Sequence, residues 1–323
     1  MNTSAIYALK IAKTIYRKGF SGSGGSFFDY SSGVIKGQQA SDHIRQLLLQ
    51  DAPVMIARFG SVELNCLTNY ISINHHKNNY AGYIKGNVNH FWWDKNTITN
   101  MSGNAGFFPS NPASLSRFSK MMLEDIDMLD VLGSWQHQEL MLQHKLQGVI
   151  KVGLLDLEPY NHDEPWSAAL EGKKVLVVHP FDQSIREQYK KREQLFPDKN
   201  VLPDFELKTF RAVQSIANNS TRFKDWFEAL AYMKEKIAEI DFDIAIIGCG
   251  AYGFPLAAHI KRLGKKALHL GGATQVLFGI KGKRWETQKE HYRVAAMMNE
   301  HWVRPLSAET PERNKTIEDG CYW

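Results

Sequence analysis

Residues 243–253 read Asp-Ile-Ala-Ile-Ile-Gly-Cys-Gly-Ala-Tyr-Gly. An apolar run passes straight into glycines spaced G-x-G-x-x-G, and a segment with helical periodicity follows. This is the pattern of a buried strand, a tight turn and a helix N-terminus, where open amides and the helix dipole favour an anion. A strand that feeds directly into a helix implies a crossover back to the sheet, hence a layered α/β fold with a mostly parallel sheet and helices on both faces. In this reading Gly248 permits the exit from the strand. Gly250 lets the backbone approach an anion, and Gly253 lets the helix pack on the sheet.

The rest of the chain agrees with that class. Strands are expected over 53–59, 131–135, 149–155, 175–179, 205–210, 244–247 and 267–270. Helices are expected over 35–50, 62–70 (with Ser61 as its cap), 112–122, 137–146, 183–196, 223–240 and 254–263. The first 33 residues read as a helix followed by a Gly/Ser turn around 19–25. Residues 74–111 read as a long irregular stretch, the usual sign of a functional or mobile loop. The expected organisation is an N-terminal helical segment (1–50), a Rossmann-like domain (51–290) and a C-terminal helix and tail (291–323). The middle part is either one continuous sheet or two halves meeting near 165–172.

Hydrophobic residues make up 43% of the 323 and charged ones 23%, ordinary for a globular protein. A net charge of +5 suits phosphorylated ligands or an anionic membrane face. No basic stripe, zinc finger or aromatic RNA-binding signature accompanies it, so nucleic acid is not an expected partner. Cys66, Cys249 and Cys321 are too scattered for a zinc knuckle or a disulfide scaffold, which fits a reducing compartment. Lys10 and Lys13 interrupt the apolar segment at 6–15, so it is not read as a leader, and no run is long enough to span a bilayer. The expected location is cytoplasmic. The segment carrying Lys10, Lys13, Arg17 and Lys18 either packs on its own domain or touches the inner face of a membrane.

A dinucleotide is the usual tenant of such a glycine turn, but the next strand should then end in an acid that holds the ribose. Here it ends in His269-Leu-Gly-Gly272, which argues against nicotinamide chemistry and leaves a nucleotide diphosphate. Gly271 and Gly272 open a second strand-to-helix junction, where Thr274 and Gln275 either bond a base or ribose or simply cap. Lys281, Lys283 and Arg284 form a basic cluster able to clamp a diphosphate. Arg58-Phe-Gly60 ends the first strong strand, with Glu63 one helical turn on. A guanidinium there can fork onto phosphate, and Glu63 can serve as a base, orient a hydroxyl or pair with Arg58. Asp156 and Glu158 follow one expected strand, His179 and Asp182 another. These four are candidates for the base that deprotonates an acceptor, against plainer readings as loop polar groups, a packing residue and a helix cap. Trp92, Trp93, Tyr80 and Tyr83 either stack on a sugar ring or fold as a small satellite core.

The stretch Val54-Met-Ile-Ala-Arg-Phe-Gly-Ser-Val-Glu-Leu64, the strand within 172–181 and the 244–272 segment together resemble the GT-D-type bacterial glycosyltransferases. The resemblance covers about 50–290. It implies a Rossmann-like fold and transfer of a sugar from a nucleotide-diphosphate sugar, such as a UDP-sugar, to a glycan, glycoprotein or lipid-linked acceptor in surface polysaccharide assembly. It also implies a divalent cation, Mn²⁺ or Mg²⁺, held through a D-x-E motif in the arginine–glycine turn. The matching positions are Ser61, Val62 and Glu63, so the first acid is a serine and Glu63 alone carries the metal expectation. Two other readings stand beside this one. One is a non-catalytic nucleotide-sugar-binding scaffold, and the other is a different envelope-glycan transferase, moving a pyruvyl or phosphoryl-linked group. Self-association is compatible with any of them.

Overall fold

The computed structural model describes residues 3–20, 33–288, 291–316 and 320–323. The expected Gly/Ser turn therefore lies almost wholly outside the described residues.

Eight strands form one all-parallel sheet. In chain order they are β1 (Val34–Ile35), β2 (Met55–Ala57), β3 (Val131–Ser134), β4 (Ile150–Gly153), β5 (Lys174–His179), β6 (Glu206–Arg211), β7 (Ile244–Ile247) and β8 (Lys266–His269). Their order across the sheet is β1-β4-β3-β2-β8-β7-β5-β6. β2 pairs with β8, Ile56 opposite Leu268, so the sheet runs unbroken across the boundary considered near 165–172. β1 adds an edge strand from within the first 50 residues, too short to leave a periodic signal.

The helices are α1 (Thr3–Phe20), α2 (Gln38–Leu49), α3 (Ser61–His75), α4 (Tyr80–Lys85), α5 (Lys95–Gly103), α6 (Pro112–Asp125), α7 (Asp182–Tyr189), α8 (Trp226–Ala238), α9 (Gly253–Arg262), α10 (Ala273–Leu277), α11 (Lys283–Thr287) and α12 (Tyr292–Met297). Alternation along the strands sorts them onto two faces. Val175, Val177, Ile244 and Ile246 pack with Ile44 of α2, Ile185 of α7 and Val276 of α10. Leu176, Val178, Ala245 and Ile247 face the other way, onto Leu67 of α3, Phe118 of α6, Leu230 of α8 and Leu256 of α9. Both faces of the central strands are buried, which explains their near-continuous apolar runs.

Two local expectations are corrected. Residues 74–111 are not irregular throughout, since two short helices interrupt them. Asn79 caps α4 by accepting from the Gly82 amide, and Asp94 caps α5 by accepting from the Asn96 amide. These helices are too short to show a convincing apolar face. Ser61 is not the cap of α3 but its first residue, with Gly60 at the cap position.

The topology places the site. From β5 the chain moves outward to β6, and from β7 it moves the other way to β8, yet β5 and β7 are neighbours. Such a reversal opens a crevice outside the carboxyl ends of the strands.

Candidate active site

A cleft of about 890 Å³ occupies that crevice. It is walled by the turns after β2, β4, β5, β7 and β8 and by residues near 284–291 and 322–323. Arg58 and the glycine turn after β7, far apart in sequence, share it.

The turn after β2 is built from side chains. The Phe59 carbonyl accepts from Arg58 Nε (3.2 Å) and Nη2 (3.0 Å), from Trp135 Nε1 (3.1 Å) and from Gln136 Nε2 (3.3 Å). The Arg58 guanidinium also lies 5.0 Å from the centre of the Trp135 ring. Trp135 and Gln136 are themselves fixed by the buried Glu139 carboxylate, which accepts from both backbone amides at 3.0 Å and from the Ser134 hydroxyl. Burial lowers the Arg58 pKa, opposed by Tyr322 and Glu63. The alternative of an Arg58–Glu63 ion pair is not met within 4.0 Å among the described residues. Glu63 instead curls its carboxyl back over Gly60 at the start of α3, and burial raises its pKa against the pull of its own amide and Arg58. A carboxyl there also suits the helix dipole.

The turn after β7 is built from backbone. Cys249 caps a single 3-10 turn, Gly250–Tyr252, that runs into α9, and the first amides of such a run have no intrahelical acceptor. Gly248, Cys249 and Gly250 line the cleft. A side chain at Gly248 would meet the Gly271 carbonyl at 2.5 Å, and His179 and Thr274 at 2.7 Å. A side chain at Gly253 would run into the His269 imidazole, so this glycine serves helix-on-sheet packing, as its spacing implies, but does not line the cleft.

The two buried imidazoles have defined tautomers. His179 Nδ1 accepts from the Phe181 amide at 3.0 Å, which puts the proton on Nε2. His269 Nδ1 lies 3.1 Å from the Arg58 carbonyl, an acceptor only, so it donates, and Nε2 is bare. Burial lowers both to about 3, helped at His269 by the Arg58 charge. His179 thus has no lone pair left for a proton.

Both acids after β4 have hydrogen-bond partners, Asp156 a backbone amide and Glu158 side chains. Asp156 accepts from the Gly37 amide at 2.9 Å, and its pKa is raised by burial and restrained by that bond. Glu158 is buried in the cleft wall. Burial lifts it to about 7, against the Tyr160 hydroxyl, the Asn161 amide that donates at 3.3 Å, and Arg58. Asp182 is not brought to the cleft. It sits in the first turn of α7, paired with Arg186 at 2.6 Å, because the chain turns into the helix before it can face inward.

Beyond β8, Gly271, Gly272 and Gln275 line the cleft and Thr274 does not. Gln275 spends its amide nitrogen on the carbonyls of Lys281 (3.2 Å) and Tyr322 (3.0 Å), so it positions chain rather than ligand. Thr274 is fully buried beneath Gly248. Of the basic cluster, Arg284 reaches the cleft, with its guanidinium 5.0 Å from the Tyr322 ring centre; Lys283 is exposed and lies outside it. The Tyr83, Phe91 and Trp92 rings form a satellite core away from the cleft, and Trp93 packs against the main core.

Three features went unread in the sequence. His269 was legible in principle, as a polar side chain ending a central strand. The Gln136-x-x-Glu139 turn lacks the Ser, Thr, Asp or Asn that marks a capping box in sequence, and only its Glu139 fits that pattern. Tyr322 and Trp323, which wall the cleft, have no sequence signature, because long-range contacts alone bring them there.

For a divalent cation the donors do not suffice. Among the described residues no group of three or more His, Cys, Asp or Glu stands together. Ser61 is exposed, and Glu63 is one carboxylate, where a hard cation wants several oxygens. Compared with known proteins, the chain matches no family model, no curated protein and no solved structure.

Proposed function

We propose that the protein transfers a sugar from a nucleotide-diphosphate sugar, such as a UDP-sugar, to a hydroxyl of a glycan or glycoconjugate acceptor. The observation that carries this reading is the meeting of the Arg58 guanidinium and the 248–250 backbone in one cleft. A diphosphate leaving group gains negative charge as the glycosidic bond breaks. The amides that follow Gly248, whose own N–H is spent on the Val178 carbonyl, and the half-buried Arg58 guanidinium stabilise that charge without reorganising. Arg284 adds a second positive group at the same cleft, and the volume suits a nucleotide sugar.

The acceptor hydroxyl must lose its proton as it attacks. Glu158 is the group suited to take it, because a base poised near neutrality is the efficient one. His179 is excluded by its occupied Nδ1; Asp156 is fixed to the backbone by the Gly37 amide, whereas Glu158 is held by the side chains of Tyr160 and Asn161. Tyr322 offers ring surface to a base or sugar, backed by the buried Trp285.

The non-catalytic binding reading is favoured by one observation, Ser61 in place of an acid. Calorimetric titration with a panel of UDP-sugars, with and without Mn²⁺, tests the ligand class, and release of nucleotide in the presence of glycan acceptors tests transfer. Absence of binding for every nucleotide diphosphate at millimolar concentration overturns both readings. Binding without hydrolysis or transfer selects the scaffold.

A further inference from the structure

We propose that the outward face of α1 seats this protein on an anionic lipid surface. α1 packs one side on the domain: Leu9 rests on the Tyr83, Phe91 and Trp92 cluster, Lys10 Nζ donates to Asp94 at 2.6 Å, and Lys13 Nζ lies 4.3 Å from the Tyr83 ring centre. The opposite side is apolar and, among the described residues, uncovered. Tyr7, Ile11 and Ile15, spaced one turn apart, are 64%, 58% and 65% exposed. Three large apolar side chains in a row on a solvated helix face need a partner.

Charge says which partner. Residues 3–20 and 64–93, which supply α1 and the segment beneath it, contain Lys10, Lys13, Arg17, Lys18, Lys77 and Lys85 and not one Asp or Glu. Of the two acids that bracket the second stretch, Asp94 is buried and consumed by Lys10, and Glu63 lines the cleft. Arg17, Lys18, Lys77 and Lys85 are exposed. A second copy of the chain on this face would meet its own positive charge, whereas a bilayer of acidic phospholipid supplies both apolar depth and negative headgroups. The helix lies on the surface and does not cross it; no helix among the described residues is long and apolar enough to span a membrane. The segment under α1 continues through α5 to Asn104 and Ala105, which line the cleft, so docking by α1 connects the lipid surface to the cleft wall.

This inference stands apart from the proposed chemistry and is tested separately. The full chain is floated with phosphatidylcholine vesicles, with and without phosphatidylglycerol, at low and high salt. The expected result is binding that requires phosphatidylglycerol and weakens with salt. It falls roughly tenfold in Tyr7→Gln/Ile11→Gln/Ile15→Gln, and by a similar factor in Arg17→Glu/Lys18→Glu. The replaced residues are exposed, so nucleotide binding of both variants is expected to stay at the wild-type level. No wild-type binding to anionic vesicles overturns the proposal. So does a wild-type dimer that the triple variant dissociates while its vesicle binding is unchanged, because the stripe is then covered by a second copy.

Discussion

The turns after β2 and β7 both carry the chain from a central strand into a helix, and both wall the same cleft, yet they are made differently. After β7 the wall is main chain, and its glycine is imposed by neighbours: the Gly271 carbonyl, His179 and Thr274 leave no room at Gly248, while behind the wall His269 leaves none at Gly253. After β2 the wall is side chain. Arg58 is held over Trp135 by bonds that converge on the Phe59 carbonyl, and Glu63 folds over Gly60. A backbone wall offers fixed dipoles that no substitution removes cleanly. A side-chain wall can be edited one group at a time, and its groups have tunable charge.

The largest effect is expected on the side-chain side. Glu158→Gln removes the proposed base, and transfer should drop by about 10²–10⁴-fold with donor binding retained. In the wild type, the rate should rise with pH through about 7, as Glu158 ionises. Stability should move oppositely. The folded-state value lies above the ordinary 4.5, so the contribution is full below pH 4.5 and is lost as pH rises through about 7. Glu158→Gln should therefore be the more stable protein at pH 8, by up to about 3 kcal/mol in urea melts. A flat pH–rate profile, or a variant with undiminished turnover, removes Glu158 from the reaction.

The comparison itself is broken or upheld by two alanines. Gly248→Ala drives a methyl against a backbone carbonyl at 2.5 Å and should cost about 3 kcal/mol of stability, with loss of nucleotide binding. At Gly60 the nearest obstacle is the tip of Glu63, a flexible chain that can swing aside. Gly60→Ala should cost about 1 kcal/mol or less. Thermal melts that rank the two the other way would mean that the backbone wall is the adaptable one.

Arg58→Lys sharpens the electrostatic half. It keeps the charge but loses the planar fork and the seat over Trp135, so diphosphate affinity should fall about tenfold in calorimetry. Equal affinity would show that Arg58 acts as a point charge only.

How much of this could be read from the chain follows the same division. The glycine turn, the strands and the parallel sheet were legible because local period and local spacing encode them; Ile244–Ile247 and the glycines at 248, 250 and 253 announce their own conformation. Arg58, Glu158 and Arg284 were legible as charged groups after strands or within a basic cluster. Their arrangement was not. That Asp156 is tied to Gly37, or that Gln275 is spent on Tyr322, depends on segments more than forty residues away in sequence. Short helices such as α4 and short strands such as β1 escaped because a few residues establish no period.

The smallest predicted effect tests whether Trp135 is part of the side-chain wall or merely beside it. Trp135→Phe keeps an aromatic face near the Arg58 guanidinium but deletes the Nε1–H bond to the Phe59 carbonyl. That carbonyl still has donors in Arg58 and Gln136, so no acceptor is orphaned and the loss should be about 0.5–1.5 kcal/mol. Freed from one competing donor, the carbonyl should hold Arg58 more tightly and draw the guanidinium toward Phe59. Diphosphate affinity should fall by about threefold while the donor-sugar preference is unchanged, both readable by calorimetry. A fall in stability with affinity intact would make Trp135 a packing residue and leave Arg58 to orient itself.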